Sequence, residues 1–299
     1  MKVFIFGEAM MEFHSRGVSG LRYGGDTINT AIHLARRGCD VAYVTAVGCD
    51  PISNALVAAW QAEGLDTTHV LRHPERSPGI YAIHLNDAGE RSFLYWRERS
   101  AAREMFSLVG MEKTLEQARA SGLVYFSLVT LAVIGEFGRK ALLDLANYRK
   151  ANGLAVAYDS NYRASLWDTR DSALAASMAA VRTTTIGLPT DSDELDLVAE
   201  GQDVQEIAAR WLREGCKEVV IKAGANGCYY ASHGQSFAQA ATPTEVIDST
   251  GAGDAFNAGY LDARIRGGDA VTAVTSGQAL ARETLRHLGA LQPIAAKPH

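Results

Sequence analysis

Residues 248–259 read Asp248-Ser249-Thr250-Gly251-Ala252-Gly253-Asp254-Ala255-Phe256-Asn257-Ala258-Gly259. A small-residue turn, Gly251-Ala252-Gly253, leads directly into an amphipathic helix that the spacing starts near Asp254. Successive amides at a helix N-terminus make an anion site, and glycine there lets the backbone approach a phosphate closely. A carboxylate inside such a site repels a bound phosphate, so Asp254 needs a chemical reason to be there. A general base that takes the proton from a hydroxyl attacking that phosphate supplies one. The bland alternative is a plain helix start with a capping acid.

Outward from that turn, short apolar runs alternate with helical stretches. Residues 3–6, 41–47, 123–126, 155–159, 184–188 and 219–221 read as buried strands. Residues 27–37, 52–63, 134–150 and 204–214 read as helices; the first places Ile28, Ala31, Ile32, Leu34 and Ala35 on its apolar side and ends at Gly38. This alternation predicts an α/β fold with a mainly parallel sheet covered on both faces. Residues 79–97, GIYAIHLNDAGERSFLYWR, break the rhythm: two alternating runs joined by Asn86-Asp87-Ala88-Gly89 predict an antiparallel hairpin. It is read as a small β-flap standing off the main sheet. No repeat or Pro/Gly linker divides the chain, so one domain over 1–299 is expected.

Composition excludes several classes. The chain has 299 residues with 29 Lys plus Arg against 34 Asp plus Glu, a formal charge of −5, so no field favours a nucleic-acid backbone. No apolar run reaches the roughly 18 residues a membrane helix needs. The apolar run before Gly7 is also too short for a signal peptide, so a cytoplasmic protein is expected. Cys39, Cys49, Cys216 and Cys228 form no close pair, against a disulfide framework or structural zinc. Gly7 is followed by Glu8-Ala9-Met10, not by the glycines of a dinucleotide turn, so a nicotinamide dehydrogenase is not supported.

The 248–254 stretch resembles the C-terminal signature of the ribokinase-like (PfkB) carbohydrate kinases, D-T-x-G-A-G-D, whose last Asp is the catalytic base. Gly24-Gly25-Asp26-Thr27-Ile28-Asn29-Thr30-Ala31 is similar to the family's sugar-binding G-G-x-x-x-N-x-A segment. Residues 44–50, VTAVGCD, look like its V-G-x-D strand end, and Lys222-Ala223-Gly224-Ala225-Asn226-Gly227 like its K-x-G-x-x-G nucleotide loop. These motifs keep family order and spacing over essentially the whole chain. Three departures stand out. Pro51, Ile52 and Ser53 replace the usual Gly, and Ser249 stands where many members have Thr. The family's N-x-x-E, which organises Mg²⁺ through water, has no literal copy. Asp193 or Glu194 is the candidate for that acidic role, a solvated helix start being the alternative. The resemblance implies a ribokinase-like three-layer sandwich with lid strands within about 9–23 and 79–98, and it implies ATP and Mg²⁺.

The flap speaks to the acceptor. Strand period puts Phe93, Tyr95 and Arg97 on one face, with Tyr81 on the partner strand able to face the same way. A phenol beside a guanidinium suits a ligand with a carboxylate; an exposed cross-strand pair is the alternative. Arg163 follows a buried strand, at the edge where open α/β sheets bind ligands. YWRERSAA (95–102) and DSNYRASLW (159–167) are similar to segments of the 2-keto-3-deoxygluconate kinase branch, as are GGDTINT (24–30), DAGERSFLYWR (87–97) and the terminal Pro298-His299. That branch implies ATP-dependent phosphorylation of 2-dehydro-3-deoxy-D-gluconate to its 6-phosphate. Gly24, Gly25, Asp26 and Asn29 are then expected on the sugar hydroxyls, and Tyr81, Tyr95, Arg97 and Arg163 on the carboxylate end. Arg163, Lys222, Gly224 and Gly227 are expected along ATP, with Gly251, Ala252 and Gly253 as the anion hole and Asp254 as base. The rivals are a kinase for a neutral sugar (fructose, ribose) or a nucleoside, and a non-catalytic sugar-acid sensor. Leu94 and Trp96 on the flap's second face either meet a partner flap in a homo-oligomer or cover their own domain.

Overall fold

Successive residues of a strand point to opposite sides, and in the first strand this sorts the side chains into two cores. Val3 and Ile5 enter one cluster, Phe4 and Phe6 the other. The computed structural model describes residues 1–14, 21–85, 91–198 and 201–292. Its strands are β1 (Lys2–Phe6), β2 (Met10–His14), β3 (Arg22–Gly24), β4 (Asp40–Val47), β5 (Val70–Arg72), β6 (Ile80–Leu85) and β7 (Arg91–Trp96). After these come β8 (Leu123–Ser127), β9 (Ala155–Asp159), β10 (Ile186–Gly187), β11 (Glu218–Lys222), β12 (Cys228–Ser232) and β13 (Ser236–Gln239). The helices are α1 (Asp26–Arg36), α2 (Pro51–Ala62), α3 (Met111–Arg119), α4 (Leu128–Val133) and α5 (Gly135–Ala151). They continue with α6 (Arg170–Thr183), α7 (Asp191–Val198), α8 (Val204–Arg213), α9 (Ala252–Ile265) and α10 (Ala270–Leu285).

The main sheet runs β13-β12-β11-β10-β9-β8-β1-β4-β5. Neighbours from β11 through β5 are parallel, and β12 and β13 turn back antiparallel. Leu142 of α5, Ala173 of α6 and Trp211 of α8 pack on one face; Ile28 of α1, Trp60 of α2, Tyr260 of α9 and Val274 of α10 pack on the other. This is the expected three-layer α/β sandwich. Trp60 and Trp211 are fully buried, so truncating either to Ala costs about 3–5 kcal/mol.

The expected strand over 184–188 is regular only at β10. Before it, the Thr185 hydroxyl accepts from Val156 N at 2.9 Å, so a side chain replaces a ladder carbonyl. The flap is a separate sheet in the order β3-β2-β6-β7. β6 and β7 pair antiparallel as expected, Tyr81 opposite Tyr95 and Ile83 opposite Phe93, which sets these four on one face. Of the sequence-based expectations, the turn 86–89, part of the first lid stretch (15–20) and Pro298-His299 lie outside the described residues.

Candidate active site

The phosphate-side turn is built by Gly251, whose φ of +75° places it in the left-handed region as the N-cap of α9. A Cβ there would collide with Ala290, so the position admits only glycine. Ala252 N already reaches Ser249 O at 3.3 Å, and Ala255 N is the first amide to bond back a full turn, to Gly251 O at 2.9 Å. The amides of Gly251, Gly253 and Asp254 have no backbone partner among the described residues, so two of the three expected donors are open and Asp254 N adds a third.

Asp254 lies in the first turn of α9, and α1 is packed alongside. Asn29 Nδ2 donates to Asp254 Oδ2 at 2.8 Å, and Thr30 Oγ1 to the Asp254 carbonyl at 3.3 Å. Burial, then the nearby Asp26 charge, raise the Asp254 carboxyl to about 8; the Asn29 hydrogen bond and the Lys222 charge oppose the shift. Asp26 itself accepts from Thr27 N and from Asn161 Nδ2, each at 2.8 Å. A carboxyl poised near neutrality at the mouth of an anion site has the properties of a general base.

Behind Asp254, the carboxyl ends of the parallel strands supply a second network. Lys222 at the end of β11 donates to Asp159 Oδ2 at 3.1 Å and to Asn257 Oδ1 at 3.0 Å. Asn257 Nδ2 in turn reaches Asp159 Oδ2 at 2.7 Å and Tyr125 Oη at 3.1 Å. Lys222 is therefore a buried charge partner of Asp159, which departs from the expected open nucleotide contact. Gly224, two residues on, is exposed, while Gly227 (φ +92°) lies where a Cβ would strike the Gln239 carbonyl.

On the flap side the cations are already engaged. Arg97 is buried and ion-paired with buried Glu8. Its guanidinium carbon stands 6.0 Å from the Tyr95 ring centroid. Tyr95 is half-exposed and stacks at 6.1 Å on Tyr81, whose hydroxyl donates to Glu12; Gly24 leaves the room for that hydroxyl. Arg22 also bonds Glu12, at 2.9 Å. Burial and the Glu12 charge push the Tyr81 phenol well up, so it stays a donor. Exposed Arg163 donates to Asp193 at 3.3 Å. Arg97 and Arg163, both expected at the carboxylate end, each have an acidic partner within the chain. The candidacy of Glu194 for the Mg²⁺ role is corrected, since its side chain is buried against Arg210 and accepts from Trp211 Nε1 at 3.1 Å, a structural role. Asp193 remains on the site side, its carboxyl raised to about 6 by burial against the pull of Arg163. Among the described residues no cluster of three or more His, Cys, Asp or Glu forms a metal cage.

The structure therefore joins Asp26, Asn29, Lys222 and Asp254 in one connected edge with Asp159, Asn161 and Asn257, and sets Tyr81, Tyr95 and Arg97 on the flap. Glu8, Glu12, Asp159, Asn161 and Asn257, which share these contacts, were not singled out from the sequence. Asn161 and Asn257 sit inside the motifs quoted above, and Glu8 directly follows the first strand's Gly7, where it reads only as a break in a dinucleotide pattern.

The profile of the pfkB family carbohydrate kinases matches residues 2–297. A 2-dehydro-3-deoxygluconokinase of Dickeya dadantii is 35% identical over 305 residues, covering 99% of this chain and 98% of that protein. One from Escherichia coli K12 is also 35% identical, over 99% of each. Among solved structures, a PfkB protein from Polaromonas sp. JS666 superposes with a TM-score of 0.84 at 26% identity, covering 96% of both chains. No helix among the described residues is long and apolar enough to cross a membrane. The chain belongs to the pfkB family of carbohydrate kinases.

Proposed function

We propose that this carbohydrate kinase is a cytoplasmic 2-dehydro-3-deoxygluconokinase, transferring the γ-phosphoryl group of ATP to the terminal hydroxyl of 2-dehydro-3-deoxy-D-gluconate. The observation that carries the reaction type is Asp254, held by Asn29 at 2.8 Å beside the open amides of α9. The full-length likeness to 2-dehydro-3-deoxygluconokinases supports the acceptor. In the step, the hydroxyl oxygen bonds to the γ-phosphorus, the bond to the ADP oxygen breaks, and the hydroxyl proton passes to the Asp254 carboxylate. Gly253 and Asp254 amides would face the transferring group, and Asp26 and Asn29 the sugar hydroxyls. Gly24 and Gly25 let the sugar approach the backbone, Tyr81, Tyr95, Arg97 and Arg163 attend its carboxylate end, and ATP lies along Gly224–Gly227. Positioning and charge neutralisation supply most of the rate in phosphoryl transfer.

No carboxylate cluster among the described residues would hold Mg²⁺ directly, so an ion arriving with the nucleotide would keep oxygen ligands from phosphate and water, with Asp193, which feels the Asp159 and Lys222 charges, as the acid at this edge. The ion would supply neutralisation of the phosphate charge. A second reading, a kinase for a neutral sugar such as fructose, draws on the pairing of Arg97 with Glu8 and Arg163 with Asp193. ADP release with Mg-ATP against 2-dehydro-3-deoxygluconate, gluconate, fructose, ribose and adenosine separates them. Turnover confined to the keto-deoxy acid is expected; preference for fructose or ribose sinks the acid reading and keeps Asp254. Silence with every acceptor from folded protein that binds ATP favours a sensor. We also propose that the flap's outer face, with Phe13, Leu94 and Trp96 exposed, docks on a second copy.

A further inference from the structure

Glu8 and Arg97 stand at the two passages between the main sheet and the flap: Glu8 between β1 and β2, Arg97 directly after β7. Their side chains are 1% and 8% exposed and ion-paired. Glu8 Oε1 and Arg97 Nε nevertheless have no hydrogen-bond partner among the described residues. Gly79 packs against both, since a Cβ there would sit 3.1 Å from Arg97 Cβ and 3.1 Å from Glu8 Oε1. The pair also adjoins the sugar-side segment: a Cβ on Gly25, the N-cap of α1, would lie 2.5 Å from the Glu8 carbonyl. A buried ion pair in which each partner keeps an unused polar atom is an incomplete network, costly unless a further group completes it.

We propose that Glu8 is a positioning residue that sets how much positive charge Arg97 offers the acceptor. The pairing fixes one amino group of the guanidinium and leaves Nε without a partner, a donor that an entering carboxylate can take. Because Glu8 cancels the charge, an anion arriving there gains little from Coulomb attraction alone. It binds only when its hydroxyls also engage Asp26 and Asn29. An uncompensated buried guanidinium would instead attract any small anion. Glu8 thus exchanges raw affinity for discrimination between a sugar acid and a simple carboxylate. This rests on the proposed acid acceptor.

The test is inhibition by acetate, together with KM for 2-dehydro-3-deoxygluconate, in the wild type, Glu8→Gln and Glu8→Asp. Glu8→Gln keeps the size and one acceptor for Arg97 but removes the charge. The expected result is an acetate inhibition constant lower by about tenfold, the order that one uncompensated charge at a few ångströms gives, with KM for the sugar acid moving less, so that the ratio between the two narrows. Glu8→Asp, which keeps the charge but draws it back from Arg97, should fall between and provides the reading if Glu8→Gln folds poorly. A merely structural Glu8 would lower thermal stability without moving the acetate constant. Acetate inhibition unchanged in both variants overturns the inference. A wild type that phosphorylates only neutral sugars sinks the acceptor reading instead, and the acetate comparison, run with that sugar, still decides whether Glu8 masks Arg97.

Discussion

Replacing Asp254 by Asn should stop catalysis and stabilise the ligand-free protein, the second effect growing with pH. The Asp254 carboxyl is raised from 3.8 to about 8, so the folded chain holds a proton that the unfolded chain gives up. Below the unfolded value both states are protonated and no penalty exists. As pH climbs from about 4 to 8 the unfolded state ionises first, and the folded state loses relative stability until its own carboxyl ionises; above that the loss is constant. About four pKa units at 1.36 kcal/mol each set a ceiling of about 5–6 kcal/mol. Asp254 is only partly buried, and solvent screening reduces this to about 2–3 kcal/mol. At roughly 2 °C per kcal/mol for a chain of this size, Asp254→Asn should melt about 5 °C higher than wild type at pH 9 and almost equally near pH 4. Its kcat should fall by at least about 10²-fold, the loss of a general base. In the wild type the acidic limb of kcat/KM, which reports the free enzyme, should lie near pH 8. Thermal scans of both proteins across pH, with kcat at each pH, check this. A melting difference that does not change with pH, or a variant less stable at pH 9, refutes the buried-base argument; near-normal turnover refutes the base itself.

Arg97→Ala should raise KM for the sugar acid by the roughly 1.5–3 kcal/mol of a charged hydrogen bond, with kcat less affected; an unchanged KM removes Arg97 from the site. Glu194→Gln leaves partly buried Arg210 without its counter-charge in a buried pair and should lower unfolding stability by about 3 kcal/mol without changing the Mg²⁺ dependence of turnover. Asp193→Asn should do the reverse, raising the Mg²⁺ concentration for half-maximal rate roughly tenfold, as removal of an outer-sphere acid does; equal Mg²⁺ titrations would discard that role. Leu94→Glu combined with Trp96→Glu should reduce the mass in light scattering to that of one chain if the flap joins two copies, and an unaltered mass would reject that contact.

The central strands were readable because burial on both sides makes them continuous apolar runs: β1, β4, β8 and β9 sit within a residue of their expected limits. β12 and β13 were not, since a short edge hairpin with a half-exposed face carries no such run. α10 escaped because its apolar surface is mostly alanine and glycine, Ala270, Ala273 and Gly277, a weak signal for a packed face. In the site, Asp254 and Asn29 were legible from local motifs, whereas the partners of Arg97, Arg163, Lys222 and Glu194 were not. Those pairings join residues 89, 30, 63 and 16 positions apart, and a sequence shows a charge but not its neighbour.

The hydrogen bond from Asn29 to Asp254 spans 225 positions. Its consequence reaches back to synthesis on the ribosome. Most of the sugar side is encoded early and the base late, so a growing chain carries the acceptor pocket long before the residue that activates the acceptor. Contacts this distant in sequence form late in folding. On the proposed reading no base stands beside the acceptor until α9 docks against α1, so a partly made or clipped chain is expected to be inactive. The proposed catalytic centre is thereby completed last, and activity is expected only in chains whose two ends have met.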